Sequence, residues 1–351
     1  MDGNSVDIEF IVIENDNIRP LLGRDTCKQL GLLVQVVDMV TNSEKEKFMK
    51  KNKNIFEGLG KLPFKYKITL RKECVPVVRP PRRVPNVIKA RLKTTLENVE
   101  KSGVIQKIDN PTDWVNNLVI AEKKNGNLRI CLDPKFLNQA IKRERSYIPT
   151  RDDIKNNLVG KKWFTVMDMK EAFYHIELDD ESADLCTFIT PFGRYRFLRL
   201  PFGVITAPEV FQKMAMVAFE GIDEVTVYFD DLIIATKTEQ EHRDVLAKVV
   251  DRAIKWGIKF NSDKIQYMEK SVKYMGMIFS EMGVLPDPML TEAISRRREP
   301  KNVSEVQQAL GLGSYLTEFI PNLAKITSLL RTLIKKKKVI GNGKVMKKRH
   351  G

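Results

Sequence analysis

The chain has 351 residues, with 60 Lys and Arg against 45 Asp and Glu, a formal net charge of +15. Hydrophobic residues at 42% and charged residues at 30% describe a globular protein with a core of its own, long enough for two or three domains. So basic a balance suits a polyanionic partner, although a solvated basic surface explains the charge equally well. Cys27, Cys74, Cys131 and Cys186 lie far apart, and His175, His242 and His350 are as scattered. That spacing excludes a disulfide framework and a zinc site, so any metal has to be held by carboxylates. The apolar runs are too short to span a bilayer, and the N-terminus has neither a basic n-region nor an apolar h-region. The expectation is an intracellular protein, cytoplasmic or nuclear, with no membrane partner.

In chain order, Val6–Ile13 has strand composition, Asn15-Asp16-Asn17 turns the chain, and a short helical stretch follows around Thr26–Leu32. Residues 41–60 are polar and lysine-rich and read as a linker. Val78–Pro85 has to run extended, because each Pro disfavours helix at the residue before it. Ile88, Leu92, Leu96 and Val99 recur at helical steps until Gly103. Short strands are then predicted at Asn117–Ala121, Leu128–Leu132, Trp163–Met167, Cys186–Ile189, Tyr195–Leu198, Val225–Tyr228, Leu232–Ala235 and Val272–Phe279. Helices are predicted at Pro208–Phe219 and His242–Trp256, where Val245, Leu246, Val249, Val250 and Ile254 share a face. Residues 303–336 read as wholly helical, and the lysine-rich end as a disordered basic tail. Irregularly spaced strands mixed with helices indicate an α+β fold.

Chemistry concentrates at a few acids. Asp230-Asp231 lies between two β-rich apolar segments, at or beside a tight hairpin turn. Asp is a favoured turn residue, which is a sufficient reason for either acid alone. Against that stand the absent turn glycine, the bulky Tyr228 and Phe229, and the mutual repulsion of adjacent carboxylates, which a cation would relieve. Asp168 ends an apolar strand; taken singly it also fits a helix N-cap. Three acids at adjacent strand ends suit hard divalent ions.

Tyr228-Phe-Asp-Asp231 resembles the Y-x-D-D box of reverse transcriptases, and Asp168 with its surroundings resembles their first palm motif. Other segments follow in order: Lys123–Asn138 is similar to the fingers motif, and Leu200–Gln212 to the L-P-F-G…A-P…F-Q segment of gypsy-type retrotransposons. Gly257–Lys264 and Tyr274-Met-Gly276 stand where later palm motifs belong. Gln308-Ala-Leu-Gly-Leu with Phe319-Ile-Pro-Asn322 resembles the helical stretch leading towards a ribonuclease H domain. Pro20–Asp25 and Leu30-Gly-Leu32 resemble the closing end of a retroviral-type aspartic protease, yet no Asp-Ser-Gly or Asp-Thr-Gly triplet is present.

The resemblance implies a right-hand polymerase: a truncated protease-like remnant at 1–40, a linker at 41–60, fingers and palm at 61–285, a helical thumb or connection segment at 286–338, and a basic tail at 339–351. It implies an RNA- and DNA-directed DNA polymerase that uses two Mg²⁺ or Mn²⁺ ions, a primed RNA or DNA template and deoxynucleoside triphosphates. Protease, ribonuclease H and integrase functions would come from other element-encoded chains. Asp168, Asp230 and Asp231 become metal ligands and Lys264 a general acid, although an exposed lysine at a helix end explains Lys264 as well. Lys123 and Arg129 would grip the triphosphate, where a Lys-Lys-Asn-Gly turn is otherwise an ordinary hairpin. Phe173 would be a steric gate against ribose, or else plain core packing. Phe202 and Gly203 would lie beside the nucleotide and template base. Phe229 and Thr206 depart from the family's usual residues. The rival readings are an inactive or domesticated remnant that binds nucleic acid, and an RNA-copying RNA polymerase.

Overall fold

The structure is a computed structural model and describes residues 44–123, 126–144 and 146–332. The protease-like resemblance, the basic tail and the Lys124-Asn125 tip lie outside the described residues. By contacts the chain divides into two units: residues up to Asn157 with Trp163–Glu269, and Leu158–Lys162 with Lys270 onward.

The first unit opens with a correction. Residues 44–60 are folded, not a linker: 44–51 is helical, Lys53–Ile55 makes a 3-10 turn, and Ile55 and Phe56 are buried. The lysines hid an amphipathic pattern, in which Phe48, Met49, Ile55 and Phe56 pack on the core and the charges stay in water. The chain continues through β1 (Lys65–Tyr66), helix Asn86–Lys101 and β2 (Ile105–Ile108), then β3 (Asn117–Glu122) and β4 (Leu128–Asp133). Next come β5 (Trp163–Asp168), β6 (Glu177–Leu178), β7 (Thr187–Thr190) and β8 (Gly193–Phe197). Helix Ala207–Ala218 precedes β9 (Val225–Tyr228) and β10 (Asp231–Thr236), and helix Glu239–Trp256 precedes β11 (Gln266–Glu269).

The central sheet has the order β11-β5-β10-β9, with smaller sheets β2-β8-β7 and β3-β4 and a parallel β1-β6 pair. Helix Glu239–Trp256 covers the central sheet with its predicted apolar face, and Val245, Leu246, Val249 and Val250 are buried. Ile254 departs from that reading at 49% exposed. The helix starts three residues earlier than its hydrophobic repeat, because Thr238 and Glu241 form a reciprocal capping box. Gly257 ends it in the left-handed region.

The second unit holds an antiparallel sheet of β12 (Ser271–Tyr274), β13 (Met277–Ser280) and β14 (Gly283–Pro286). Val272–Phe279, expected as one strand, is two strands joined at Met275-Gly276, where both residues have positive φ. Residues 303–336 are not one helix. Val303–Tyr315 stops six residues before Pro321, and Leu323–Ile326 begins a new short helix after it, with Asn322 at φ 57°. Among the described residues, no helix is long and apolar enough to cross a membrane.

Two buried histidines tie the first unit together. The His242 ring lies between Thr165 Oγ1 (2.7 Å from Nε2) and Thr236 Oγ1 (2.9 Å from Nδ1). Thr236 donates to the Thr238 carbonyl, so the His242 proton sits on Nδ1 and Nε2 accepts from Thr165. His175 Nε2 accepts the Lys259 N–H at 2.9 Å, and its Nδ1–H donates to the Ala172 carbonyl. The ring fills the space over Gly60, where any Cβ would overlap it.

Burial pushes both histidines down from 6.5 to about 4. Above pH 6.5 both are neutral in either state. Between 6.5 and about 4 the unfolded chain takes up protons that the folded chain refuses, so stability falls with pH. Each contributes on the order of 3 kcal/mol over that window. Asp231, raised to about 6, and Asp230, also raised, act in the opposite direction there, while the lowered carboxyls of Asp153, Glu281 and Asp287 add to the decline that the two buried histidines lead. Thermal melts should show a flat midpoint above pH 6.5 and a steady decline towards pH 4. A midpoint unchanged down to pH 4.5 would contradict the neutral buried rings.

Candidate active site

The β5–β10 pairing sets the geometry. Its register runs from Trp163 opposite Thr236 to Asp168 opposite Asp231, and β9 pairs with the other edge of β10, Tyr228 opposite Asp231. Phe229-Asp230 is therefore the two-residue loop of a hairpin, as the sequence predicts. Phe229 takes φ 52° at the first central position, where such hairpins favour glycine. Asp168 is a strand end and not an N-cap: the following 3-10 turn starts at Ala172 and its cap position is Glu171.

The three aspartates are thus brought together, and their electrostatics show it. Asp231 is pushed up to about 6, chiefly by burial and then by the charges of Asp168 and Asp230. Asp230 is raised by burial and by Asp168, against the pull of Arg129 and Lys264. Asp230 Oδ1 is buried with no hydrogen-bond partner. Asp168 Oδ2 pairs with Lys264 Nζ at 2.8 Å. An orphaned carboxylate oxygen beside two repelling carboxylates is the environment a hard cation stabilises, and the oxygen-only donor set fits Mg²⁺ or Mn²⁺. Among the described residues no three His, Cys, Asp or Glu side chains yet converge in ligand geometry. With Lys264 on Asp168, the side chains have to turn to share an ion.

Asp168 lines a cleft of about 710 Å³ together with Lys123, Arg129, Glu171 and Lys264 among others. Lys123 follows β3 and pairs with Glu171 at 3.1 Å. Arg129, on β4, lies over the Phe202 ring, 4.8 Å from its centroid. Phe202 in turn packs on Phe173 (centroids 4.7 Å apart), and Phe173 also meets Phe211 edge-on at 6.0 Å. Phe173 is partly buried, with one side in this aromatic cluster. Gly203 has φ 108°, and a Cβ there would strike the Leu132 carbonyl. The surrounding loop is fastened to β4 and to Asn138: Leu132 N–H donates to Phe202 O, Asn138 Nδ2 to Gly203 O, and Ile205 N–H to Asn138 Oδ1, each at 2.9 Å. Gly203 is thus required by backbone approach, whatever else lies beside it.

Sequence reasoning gave no role to Gln212. It is fully buried; its Nε2 donates to Val227 O at 2.9 Å and its Oε1 accepts Phe229 N–H at 2.6 Å. One side chain thus clamps both sides of the strained turn. The F-Q pair of the 200–212 motif was the signal, but a glutamine's partners cannot be read from its spacing. Glu171 was missed for want of any signal.

Residues 121–279 match the family model described as reverse transcriptase (RNA-dependent DNA polymerase). The chain carries a reverse transcriptase domain. It is 33% identical over 328 residues, 89% of this chain and 26% of the relative, to the uncharacterized protein K02A2.6 of Caenorhabditis elegans. It is 28% identical to the retrovirus-related Pol polyprotein from transposon 412 of Drosophila melanogaster, over 77% of this chain and 22% of that one. The chain therefore spans a minor part of these relatives' length. The fold matches that of a foamy viral protease-reverse transcriptase solved in complex with an RNA/DNA hybrid. The TM-score is 0.76 at 20% identity, covering 84% of this chain and 40% of the other.

The hairpin clamp makes a testable statement about the reverse transcriptase domain. Gln212→Leu leaves the Phe229 N–H and the Val227 carbonyl buried without partners, at about 1–3 kcal/mol each. The variant should melt earlier, and the Phe229 amide should exchange with solvent faster than its neighbours in β9. Unchanged exchange at Phe229 would show that the turn holds itself.

Proposed function

We propose that the chain is an RNA-directed and DNA-directed DNA polymerase that joins deoxynucleotides to a primer 3′-hydroxyl. The observation that carries this is the cross-strand placement of Asp168 and Asp231 with the orphaned Asp230 oxygen in the β9–β10 turn next to Asp231. Asp168, Asp230 and Asp231 hold the divalent ions. Mg²⁺ or Mn²⁺ at that position, as a pair, supplies the positive charge that activates the attacking hydroxyl and stabilises the departing pyrophosphate. Around them, Arg129 offers a planar fork to the triphosphate and is kept in orientation by the Phe202 face beneath it. Lys123, on the same β3–β4 hairpin, reaches the same polyanion. Lys264, already at hydrogen-bond distance from a metal-binding carboxylate, is placed to protonate the leaving group. Phe173, braced by Phe202 and Phe211, presents a rigid ring edge to the sugar. An RNA/DNA hybrid or a DNA duplex is the proposed partner, in keeping with the fold's likeness to an enzyme solved with such a hybrid.

Extension of oligo-dT on poly-rA with dTTP and Mg²⁺ or Mn²⁺ tests the reading directly. Incorporation supports it; binding of the hybrid with no incorporation under either ion would leave a nucleic-acid-binding remnant. In the active chain, Asp230→Asn and Asp231→Asn should each slow extension by on the order of a hundredfold or more, since several kcal/mol of charge stabilisation goes at 1.36 kcal/mol per tenfold. Near-normal rates in both would remove the metal site.

Phe173→Val separates the gate from plain packing. A gate predicts a higher ratio of ribonucleotide to deoxynucleotide incorporation with a smaller loss of normal extension. Packing alone predicts an earlier melt, within the roughly 3–5 kcal/mol that losing a core phenylalanine costs, and an unchanged ratio. A wild-type ratio in a destabilised variant would refute the gate.

A further inference from the structure

Lys123 in the cleft already has an anion. Its backbone is fixed, with its N–H donating to Asn127 O at 2.8 Å and its carbonyl accepting Gly126 N–H at 2.9 Å. From there the ammonium crosses to Glu171 Oε1 at 3.1 Å, a contact between residues 48 apart in the chain. Glu171 is held for this in an unusual way. It has φ 51° and ψ 47°, a left-handed conformation disfavoured for any residue with a Cβ, and its carbonyl accepts the Tyr174 N–H of the following 3-10 turn. Both side chains are about one-third exposed, so the pair is weak enough to open and is within reach of a solute entering the cleft.

We propose that Glu171 is a counter-anion that holds Lys123 until a polyphosphate replaces it, so that nucleotide binding exchanges one anion for another on the same ammonium. This rests on reading the cleft as the nucleotide site. The exchange has a physical consequence that a simple staple lacks. Glu171 competes with the ligand for Lys123 and repels it, so neutralising Glu171 strengthens binding. A staple that merely holds the β3–β4 loop in place would lose order, and binding would weaken.

The test titrates the full chain with inorganic tripolyphosphate at low salt, by calorimetry, for the wild type, E171Q, K123A and the double variant. Glu171→Gln keeps the side chain's size and removes its charge. It should tighten binding about two- to fivefold, the size in which a part-exposed ion pair appears in an equilibrium constant. Lys123→Ala should weaken binding, and E171Q should then bring no gain in the K123A background. Equal or weaker binding by E171Q, the full gain persisting without Lys123, or no measurable binding by either the wild type or E171Q would each overturn the exchange. Primer extension on the same preparations keeps the two readings apart. A chain that extends primers without tightening in E171Q is a polymerase lacking this exchange. Tightening in a chain that extends nothing keeps the exchange and removes the polymerase.

Discussion

The ladder between β5 and β10 is the constraint on which the site depends. Asp168 and Asp231 are opposed because Met167, Val166, Phe164, Leu232, Ile233 and Ile234 bind the two strands into the core at 5% exposure or less. A one-residue slip would turn those side chains to the wrong face, so the register cannot relax to separate the acids. Magnitudes decide the balance. Raising Asp231 from 3.8 to about 6 corresponds to at most about 3 kcal/mol, and less once solvent screening at a part-exposed group is counted. Each buried apolar side chain contributes about 1.5–3 kcal/mol. The core can therefore hold two repelling carboxylates together and leave their mutual repulsion available to a cation.

The turns beside this ladder carry backbone strain. Phe229 and Glu171 both adopt left-handed φ without being glycine, at about 1–3 kcal/mol each. Met268, Met275 and Asn322 do the same elsewhere, so strain alone does not mark the site. What distinguishes Phe229 is that the surrounding structure fixes it from both sides, through Gln212 on its own N–H and on the carbonyl of Val227. Asp230, the next residue, then has little freedom to swing its orphaned oxygen away. Glu171 is bound on its carbonyl side by the 3-10 turn that also carries Phe173. The two strained positions thus flank the aspartates.

Much of this was legible in the residues. The strands β3, β4, β5, β9 and β10 were read to within a residue or two, because alternating and β-branched runs end at turn formers such as Asn125-Gly126 and at the acid pair. Asp168 and Asp230-Asp231 stood out because acids terminate otherwise apolar strands. Other features were invisible for physical reasons. The 44–60 stretch looked like a linker because lysines dominate its composition, while its folding rests on four apolar side chains at helical spacing. The single run Val272–Phe279 hid a reversal, since Met275 gives no hint that it will take a positive φ. The stop after Tyr315 has no proline or glycine next to it to announce it. Gln212 and Glu171 act through partners 17 and 48 residues away, and no local pattern encodes such pairings.

Charge distribution makes the last link between chain and chemistry. The chain as a whole carries +15, but the cleft does not share the excess: Lys123, Arg129, Lys170 and Lys264 are matched there by Glu122, Asp168, Glu171 and Asp263. A polyanion drawn in by surfaces outside the cleft would therefore meet a lining balanced in charge. On the exchange proposed above, its negative charge would be accepted as Lys123 is released from Glu171. That release leaves a carboxylate in need of positive charge near Asp230 and Asp231, both already raised by burial and by neighbouring negative charge. Binding of an anion and binding of a cation are then favourable together and poor apart. A cleft lining balanced in charge, next to two raised aspartates, would suit the proposed reaction, in which a triphosphate and divalent ions must arrive in the same place.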